Sequence, residues 1–188
     1  MKGTPFAERI VGFDEGKNPA SNTAYVFMRS GATWTQRQKL TASDLADGDD
    51  YGYAATVSAD GTTAAIGAPG KDGDTGAVYV FTREGERWTQ QAQLLLNGGG
   101  GRFGYAVALS GTGETAVIGA PGVIEVTAFT FARAGTSWSQ QQPLSYNGPG
   151  HVSLAFYASA VAMSADGTTV LVGAQTEGDQ GAVYVFGP

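Results

Sequence analysis

One stretch decides the fold: Phe103-Gly104-Tyr105-Ala106-Val107-Ala108-Leu109-Ser110, which leads into Gly111-Thr112-Gly113 and ends at Gly119-Ala120-Pro121. Apolar residues alternate in it with small or polar ones, which is the pattern of a half-buried β-strand. The glycines near its middle supply the positive φ angles of a tight turn. The stretch therefore predicts two antiparallel strands joined by a hairpin.

The same plan occurs three times in the chain. It runs from Tyr51-Gly52-Tyr53-Ala54 to Gly67-Ala68-Pro69, then through the stretch above, and in a degraded form from Tyr157-Ala158 to Gly173-Ala174-Gln175. Gly67 and Gly119 are 52 residues apart, and Gly119 and Gly173 are 54 apart. A third strand such as Val78-Tyr79-Val80-Phe81 follows each copy, and a fourth begins at Trp34, Trp88 or Trp138. The repeat is thus about 52 residues long, and its pattern predicts four strands in each repeat.

Four antiparallel strands, with small residues in the first and Thr and Gln in the last, are typical of a propeller blade. We therefore predict an all-β fold, a β-propeller of four-stranded antiparallel blades with boundaries near residues 50, 102 and 156. The chain begins on a second strand, Arg9-Ile10-Val11-Gly12, and its last strand ends at Phe186, which gives 14 strands or about 3.5 repeats. Residues 1–188 are assigned to one propeller domain or half-propeller.

An incomplete set of blades leaves three alternatives open. The chain is part of a longer propeller, closes alone as a four-bladed ring, or is completed by other chains. Because an unpaired blade edge promotes association, self-association or a compact ring is favoured over an open monomer. A homo-oligomer, or completion by another chain, is the expected assembly.

Composition excludes several function classes. The chain has 188 residues, a net charge of -6 and no cysteine, which excludes disulfides, thiolate nucleophiles and cysteine-bound zinc. His151 is the single histidine, so a multi-histidine metal site is excluded and a catalytic triad is not expected. The acidic balance argues against nucleic acid. No apolar run is long enough to span a membrane, and Met1 to Gly12 lacks the apolar core of a signal peptide.

The repeated motifs carry a family resemblance. Phe103-Gly104, Gly119-Ala120-Pro121 and the later Tyr-Val-Phe strand resemble FG-GAP repeats, the blades of the integrin α-subunit propeller and of many bacterial surface proteins. The bacterial variety is the most similar, through Trp34-Thr35-Gln36-Arg37-Gln38-Lys39-Leu40-Thr41-Ala42-Ser43-Asp44. The resemblance covers the chain from about Ile10 to Phe186. It implies a propeller fold and an extracellular or cell-surface location.

Many integrin-type repeats hold calcium in an Asp-rich loop between the first two strands. The matching loops here are Ser58-Ala59-Asp60-Gly61-Thr62, Ser110-Gly111-Thr112-Gly113-Glu114 and Ser164-Ala165-Asp166-Gly167-Thr168. Each offers one carboxylate at most, whereas Ca²⁺ takes about 6 to 8 oxygen ligands. The loop sequences therefore favour plain hairpin turns, and no metal or cofactor is expected.

Acidic residues gather in the loops between the second and third strands and between consecutive blades, which share one end of a propeller. Only Lys17, Lys71 and Arg102 oppose them there. In the integrin relatives the corresponding loops bind partners, so the resemblance implies a ligand face. The candidate ligand-binding residues are Asp44, Asp47, Asp49, Asp50, Asp72, Asp74, Glu177 and Asp179.

Three functions from different classes follow. The leading hypothesis is a non-catalytic interaction or adhesion module that binds a protein or glycan partner through the acidic loops. The alternative is a structural protein whose incomplete edge blades pair with other copies in a ring or filament. The third is a hydrolase using loop carboxylates, with no catalytic residues identified. The tryptophans Trp34, Trp88 and Trp138 recur at one blade position, which favours packing between blades over sugar stacking.

Overall fold

The computed structural model describes residues 8–12, 22–98, 100–122, 128–145, 157–175 and 181–188. Four antiparallel sheets account for nearly all of its regular structure. The first sheet holds β1 (Glu8–Gly12), β2 (Ala24–Ser30) and β3 (Thr33–Leu40). The second holds β4 (Ala54–Val57), β5 (Thr63–Ala68), β6 (Ala77–Glu84) and β7 (Arg87–Leu94). A short turn, α1 (Lys71–Asp74), lies between β5 and β6, and its residues Asp72 and Gly73 have left-handed and not helical backbone angles.

The remaining strands repeat the plan. The third sheet holds β8 (Ala106–Leu109), β9 (Thr115–Gly119), β10 (Ala128–Ala134) and β11 (Ser137–Leu144). The fourth holds β12 (Tyr157–Met163), β13 (Val170–Ala174) and β14 (Ala182–Phe186). Strands in every sheet are ordered as along the chain, so each sheet is a simple meander. The predicted all-β propeller fold with four-stranded antiparallel sheets is confirmed, while the single domain and the size of a closed ring stay predictions.

The sheets pack face to face in chain order. Extensive packing between sheets, within the described residues, joins only sheets that are consecutive along the chain. Each interface sets small and β-branched side chains of one sheet against aromatic and aliphatic side chains of the next. At the second interface, for example, Val78 and Val80 pack with Phe103, Ile118 and Phe131. Every sheet thus has two different faces, because alternate residues of a strand point to opposite sides.

Glycines set the distance between neighbouring sheets. A Cβ added to Gly67 would lie 1.9 Å from the carbonyl oxygen of Gly104, two residues before the next sheet begins. Gly104 has φ of +93°, and a Cβ there would lie 2.4 Å from the Ala77 carbonyl oxygen. One interface later, a Cβ on Gly119 would lie 2.1 Å from the Ala158 oxygen. The glycines of the Phe-Gly and Gly-Ala-Pro motifs are therefore where backbone touches backbone.

The repeated tryptophans differ in burial with their place in the array. Trp88 is 3% exposed, as packing between blades predicts, whereas Trp34 in the first sheet is 43% exposed. Glutamines of the outer strands also link sheets. Gln38 accepts a hydrogen bond from the Trp88 amide at 2.9 Å and donates one to its carbonyl at 2.8 Å, and the Trp138 indole donates to Gln91 at 3.2 Å. The outer strands are polar, as expected, and bonded to one another.

Candidate functional site

The predicted acidic loops lie together at one end of the second sheet. Residues 41–53 join β3 to β4, and residues 69–76 join β5 to β6. We call the carboxylates on these two loops the acidic loop face: Asp44, Asp47, Asp49, Asp50, Asp72 and Asp74. The other two candidate residues, Glu177 and Asp179, lie outside the described residues.

A glycine holds the two loops against each other. The Gly70 amide donates to the Asp49 carbonyl at 3.1 Å, and a Cβ on Gly70 would lie 2.1 Å from the Gly48 carbonyl oxygen. Beyond it the chain turns in the left-handed region, with φ of 51° at Asp72 and 66° at Asp74. This conformation is costly for residues other than glycine and is tolerated best by Asp and Asn. Asp72 and Asp74 therefore allow the chain to turn in this conformation, and they also contribute negative charge to the loop.

Lys71 and Asp49 form a buried ion pair beneath this face. The Lys71 Nζ lies 3.5 Å from the Asp49 Oδ2, and both side chains are less than one-tenth exposed. The same Nζ donates to Asp72 Oδ1 at 3.0 Å, which raises the pKa of Lys71. Asp49 Oδ2 also accepts the Ala46 amide at 2.8 Å. Lys71 therefore links the two acidic loops. The sequence Lys-Asp-Gly-Asp is typical of an exposed turn, so it does not predict this buried contact.

Asp44 is fixed to the second sheet rather than left in solvent. Its Oδ2 accepts hydrogen bonds from the Tyr79 hydroxyl at 3.0 Å and from the Gln93 amide at 3.1 Å. Burial, together with the hydrogen bond to Asp44, raises the pKa of Tyr79. Because one Asp44 oxygen accepts both of these bonds, this residue has a packing role and its charge is only partly available to a ligand.

Arg102 closes the other side of the face. Its guanidinium lies 3.5 Å from Asp50 Oδ2 and 3.4 Å from Asp74 Oδ1, and it lies over the Tyr105 ring, 5.5 Å from the ring centre. The Arg102 amide also donates to the Asp74 carbonyl at 2.8 Å. Arg102 is thus a second cation that links loops from neighbouring sheets. The sequence alone predicts it only as an opposing charge.

A cavity of about 440 Å³ opens between the two acidic loops. Asp47, Asp49, Asp72 and Asp74 line it together with Lys71. Asp47 is exposed, and the Asp72 carboxylate is 68% exposed although one oxygen meets Lys71. The six carboxylates and Lys71 give the two loops a net charge of -5, and Arg102 from the neighbouring connection reduces it to -4. The face can therefore attract a cationic group.

This arrangement does not resemble a metal centre. Within the part of the chain that the structure describes, no three carboxylate or imidazole side chains come close enough together to hold a metal ion. Ammonium and guanidinium groups occupy the space between the carboxylates instead.

The other end of the sheets carries the predicted hairpin turns. Asp60 Oδ1 accepts from the Ser58 hydroxyl at 2.5 Å and from the Thr62 amide at 3.0 Å, and Asp166 has the same bonds from Ser164 and Thr168 at 2.5 and 3.1 Å. Each carboxylate thus stabilises its own turn. The loops that correspond to integrin calcium loops are hairpin turns here.

These turns give a pH prediction. Burial by itself would raise the pKa of Asp60, but hydrogen bonds from Ser58 and Thr62 outweigh it and lower the pKa below its usual value. A lowered pKa in the folded state means that the stabilisation is present at neutral pH and is lost as the pH falls below about 4. We expect Asp60→Asn to lower the free energy of unfolding by about 0.5–1 kcal/mol at pH 7 and by less at pH 3, measured by urea denaturation. An equal loss at both values would contradict this account, and Glu86→Gln is the exposed control.

A second cavity, of about 870 Å³, is lined mainly by the fourth sheet, together with residues that immediately precede the second and third sheets. Tyr53, Tyr105, Ser159 and Gln175 contribute its polar groups. The rings of Tyr53 and Tyr105 are in contact, with centres 4.6 Å apart. Burial and a hydrogen bond with Tyr105 raise the pKa of Tyr53 to about 12. These tyrosines follow the Tyr-Gly and Phe-Gly pairs of the first two repeats, and this shared position could have marked them from the sequence.

Comparison with known proteins gives a family match for one segment of the chain. Residues 34–81 match the FG-GAP repeat family. This span, about a quarter of the chain, begins in the outer strand of the first sheet and ends in the third strand of the second. The chain has no sequence match among curated proteins. No helix in the described ranges has the length and hydropathy needed to cross a membrane.

Two solved structures are similar in fold. Hydrazine synthase from Kuenenia stuttgartiensis is 14% identical with a TM-score of 0.58, and the match covers 90% of this chain and 44% of that one. A protein from Lactobacillus plantarum is 16% identical with a TM-score of 0.54, covering 88% of this chain and 50% of that one. At these identities the likeness concerns the fold alone. The chain spans about half the length of either structure.

Proposed function

We propose that this chain, an FG-GAP β-propeller, is a non-catalytic module that binds a positively charged segment of a protein partner through its acidic loop face. FG-GAP repeats are typical of interaction modules and of extracellular proteins, so we also propose an extracellular or cell-surface location. The observation that carries the proposal is the cavity of about 440 Å³ between two loops that each contribute exposed carboxylates. A cationic side chain entering it would meet a net negative field.

The form of the face favours binding over catalysis. Hydrolysis by paired carboxylates requires one of them to be kept protonated in a dry pocket. Two carboxylates of the cavity, those of Asp49 and Asp72, form ion pairs with Lys71. The carboxylate of Asp47 is exposed to solvent. Surrounding cations favour the charged form of a carboxylate, which suits attraction of a partner and not proton transfer. A protein partner is preferred to a glycan because the strongest feature of the site is charge.

The test uses a defined cationic probe. A fluorescent peptide rich in Lys and Arg is titrated with the chain, and its anisotropy is compared with that of an acidic peptide of equal length. We expect Asp47→Asn combined with Asp72→Asn to weaken binding of the basic peptide about tenfold and to reduce its dependence on salt. Both side chains are solvent-exposed in part, so the fold is expected to be retained.

A matched control separates local from overall charge. Glu84→Gln combined with Glu86→Gln removes the same charge from an exposed hairpin, between β6 and β7, at the opposite end of the second sheet. This variant is expected to bind the basic peptide as the unchanged chain does. Equal weakening in both variants, or no preference for the basic peptide over the acidic one, would contradict the proposed face.

A further inference from the structure

The fourth sheet leaves an apolar face uncovered. Leu171, Val183 and Val185, which we call the valine face, are 40%, 66% and 68% exposed. The residues at the same positions of the second sheet, Ala65, Val78 and Val80, are at most 1% exposed because the third sheet covers them. Large apolar side chains grouped on one exposed face mark an interaction surface. The valine face is thus a blade interface with one side unoccupied among the described residues.

The first sheet presents the opposite kind of face. Its residues Tyr25, Phe27 and Trp34 form the aromatic face, and they correspond by position to Tyr79, Phe81 and Trp88 of the second sheet. The latter three are almost fully buried against the first sheet. On the aromatic face, by contrast, Trp34 is 43% exposed and the other two are half-buried. The two ends of the array therefore carry the two halves of the interface that the chain forms between its own sheets.

We propose that the valine face of one chain packs against the aromatic face of a second copy, in the manner of the interfaces inside the chain. Such a contact joins different surfaces of two identical molecules, so it is head-to-tail, and two of these contacts close a ring of two chains. The ring would hold eight sheets, within the usual range of about four to eight propeller blades.

Internal repetition is what selects a second copy as the occupant. Within the chain, the third sheet, with Phe129 and Phe131, covers the small and β-branched face of the second sheet. The second sheet, with Tyr79 and Phe81, covers the corresponding face of the first sheet. A second copy offers the same kind of surface without any new element.

The test is the mass of the 188-residue chain in solution. Light scattering after size exclusion is expected to give a dimer of the 19.3 kDa chain. Val185→Glu is expected to shift the chain to monomer and to raise the dissociation constant about tenfold or more. Thr89→Glu, at an exposed position of β7, is the matched control and is expected to leave the dimer unchanged. Circular dichroism checks that both variants keep their strands.

A second variant distinguishes the head-to-tail contact from a symmetrical one. Trp34→Glu on the aromatic face is expected to weaken the dimer as Val185→Glu does, and mixing the two variants is expected to restore dimers, because one intact contact then remains. A monomeric unchanged chain would overturn the proposal and leave the valine face to another protein or a further blade. A dimer insensitive to Trp34→Glu would overturn it as well. Neither result bears on the acidic loop face, whose test is peptide binding.

Discussion

Gly67→Ala is expected to lower the free energy of unfolding by about 3 kcal/mol, although it adds a single methyl group. The new Cβ would lie 1.9 Å from the Gly104 carbonyl oxygen and 2.9 Å from its carbonyl carbon. Both atoms are backbone, and Gly67 is bonded within its own sheet to β4 and β6, so neither side can move without breaking a strand ladder. The urea midpoint should fall while the dependence on urea stays unchanged.

A second glycine separates steric crowding from backbone conformation. Gly85 has φ of +60° and open space around its Cβ position, so Gly85→Ala tests the left-handed backbone alone and should cost about 1 kcal/mol. Gly67 lacks a positive φ, so its substitution tests crowding alone. A loss at Gly67 no larger than that at Gly85 would show that the sheets can separate to admit a methyl group, contrary to the structure.

Lys71→Met is expected to cost about 3 kcal/mol of stability, because it leaves the Asp49 carboxylate buried without its cation. Asp49 keeps the Ala46 amide as a donor, but one hydrogen bond does not replace an ion pair. The side chain of methionine is similar in length to that of lysine, so packing changes little. Thermal and urea unfolding of the variant are the measurements. Lys39→Met, at an exposed position of β3, is the control and should change stability by less than about 0.5 kcal/mol.

The double variant identifies the cause. Asp49→Asn removes the buried charge, so Asp49→Asn combined with Lys71→Met should recover part of the loss seen with Lys71→Met alone. The pH dependence has a definite sign. Since the hydrogen bond to Asp72 raises the pKa of Lys71, the stabilisation is complete below about pH 10 and is lost as the pH rises further. Additive effects of the two substitutions would contradict the ion pair.

The strands could be predicted from the sequence because their signals are local. Alternation along Val78-Tyr79-Val80-Phe81 and the Asp60-Gly61 turn are read from neighbouring residues, and the spacing of Gly67 and Gly119 reveals the repeat. The strand order within the sheets then follows from short hairpin connections. The tightly packed glycines could also be predicted, because they occupy the same position in successive repeats.

The electrostatics of the candidate site could not be predicted in the same way. Lys71 stands among acids and glycines in a turn, a context typical of a solvated charge. Its burial depends on contact between Gly70 and residues 48–49, which lie some 20 positions earlier in the chain. Asp44 likewise meets Tyr79, which belongs to another strand 35 residues away. The positions of the acidic residues in the loops predicted a negative face, but which carboxylates are paired depends on tertiary contacts.

The two-faced sheets affect how such a chain can grow. Each described interface joins small and β-branched side chains of one sheet to aromatic and aliphatic side chains of the next. A unit copied and inserted in the array therefore meets a complementary neighbour on both sides. Duplication of about 52 residues therefore needs no new chemistry at the joins. The number of blades can change by whole units while the contacts around Gly67 and Gly104 remain as they are. Because each sheet carries both kinds of face, the array can gain or lose whole repeats and keep the same contacts between sheets.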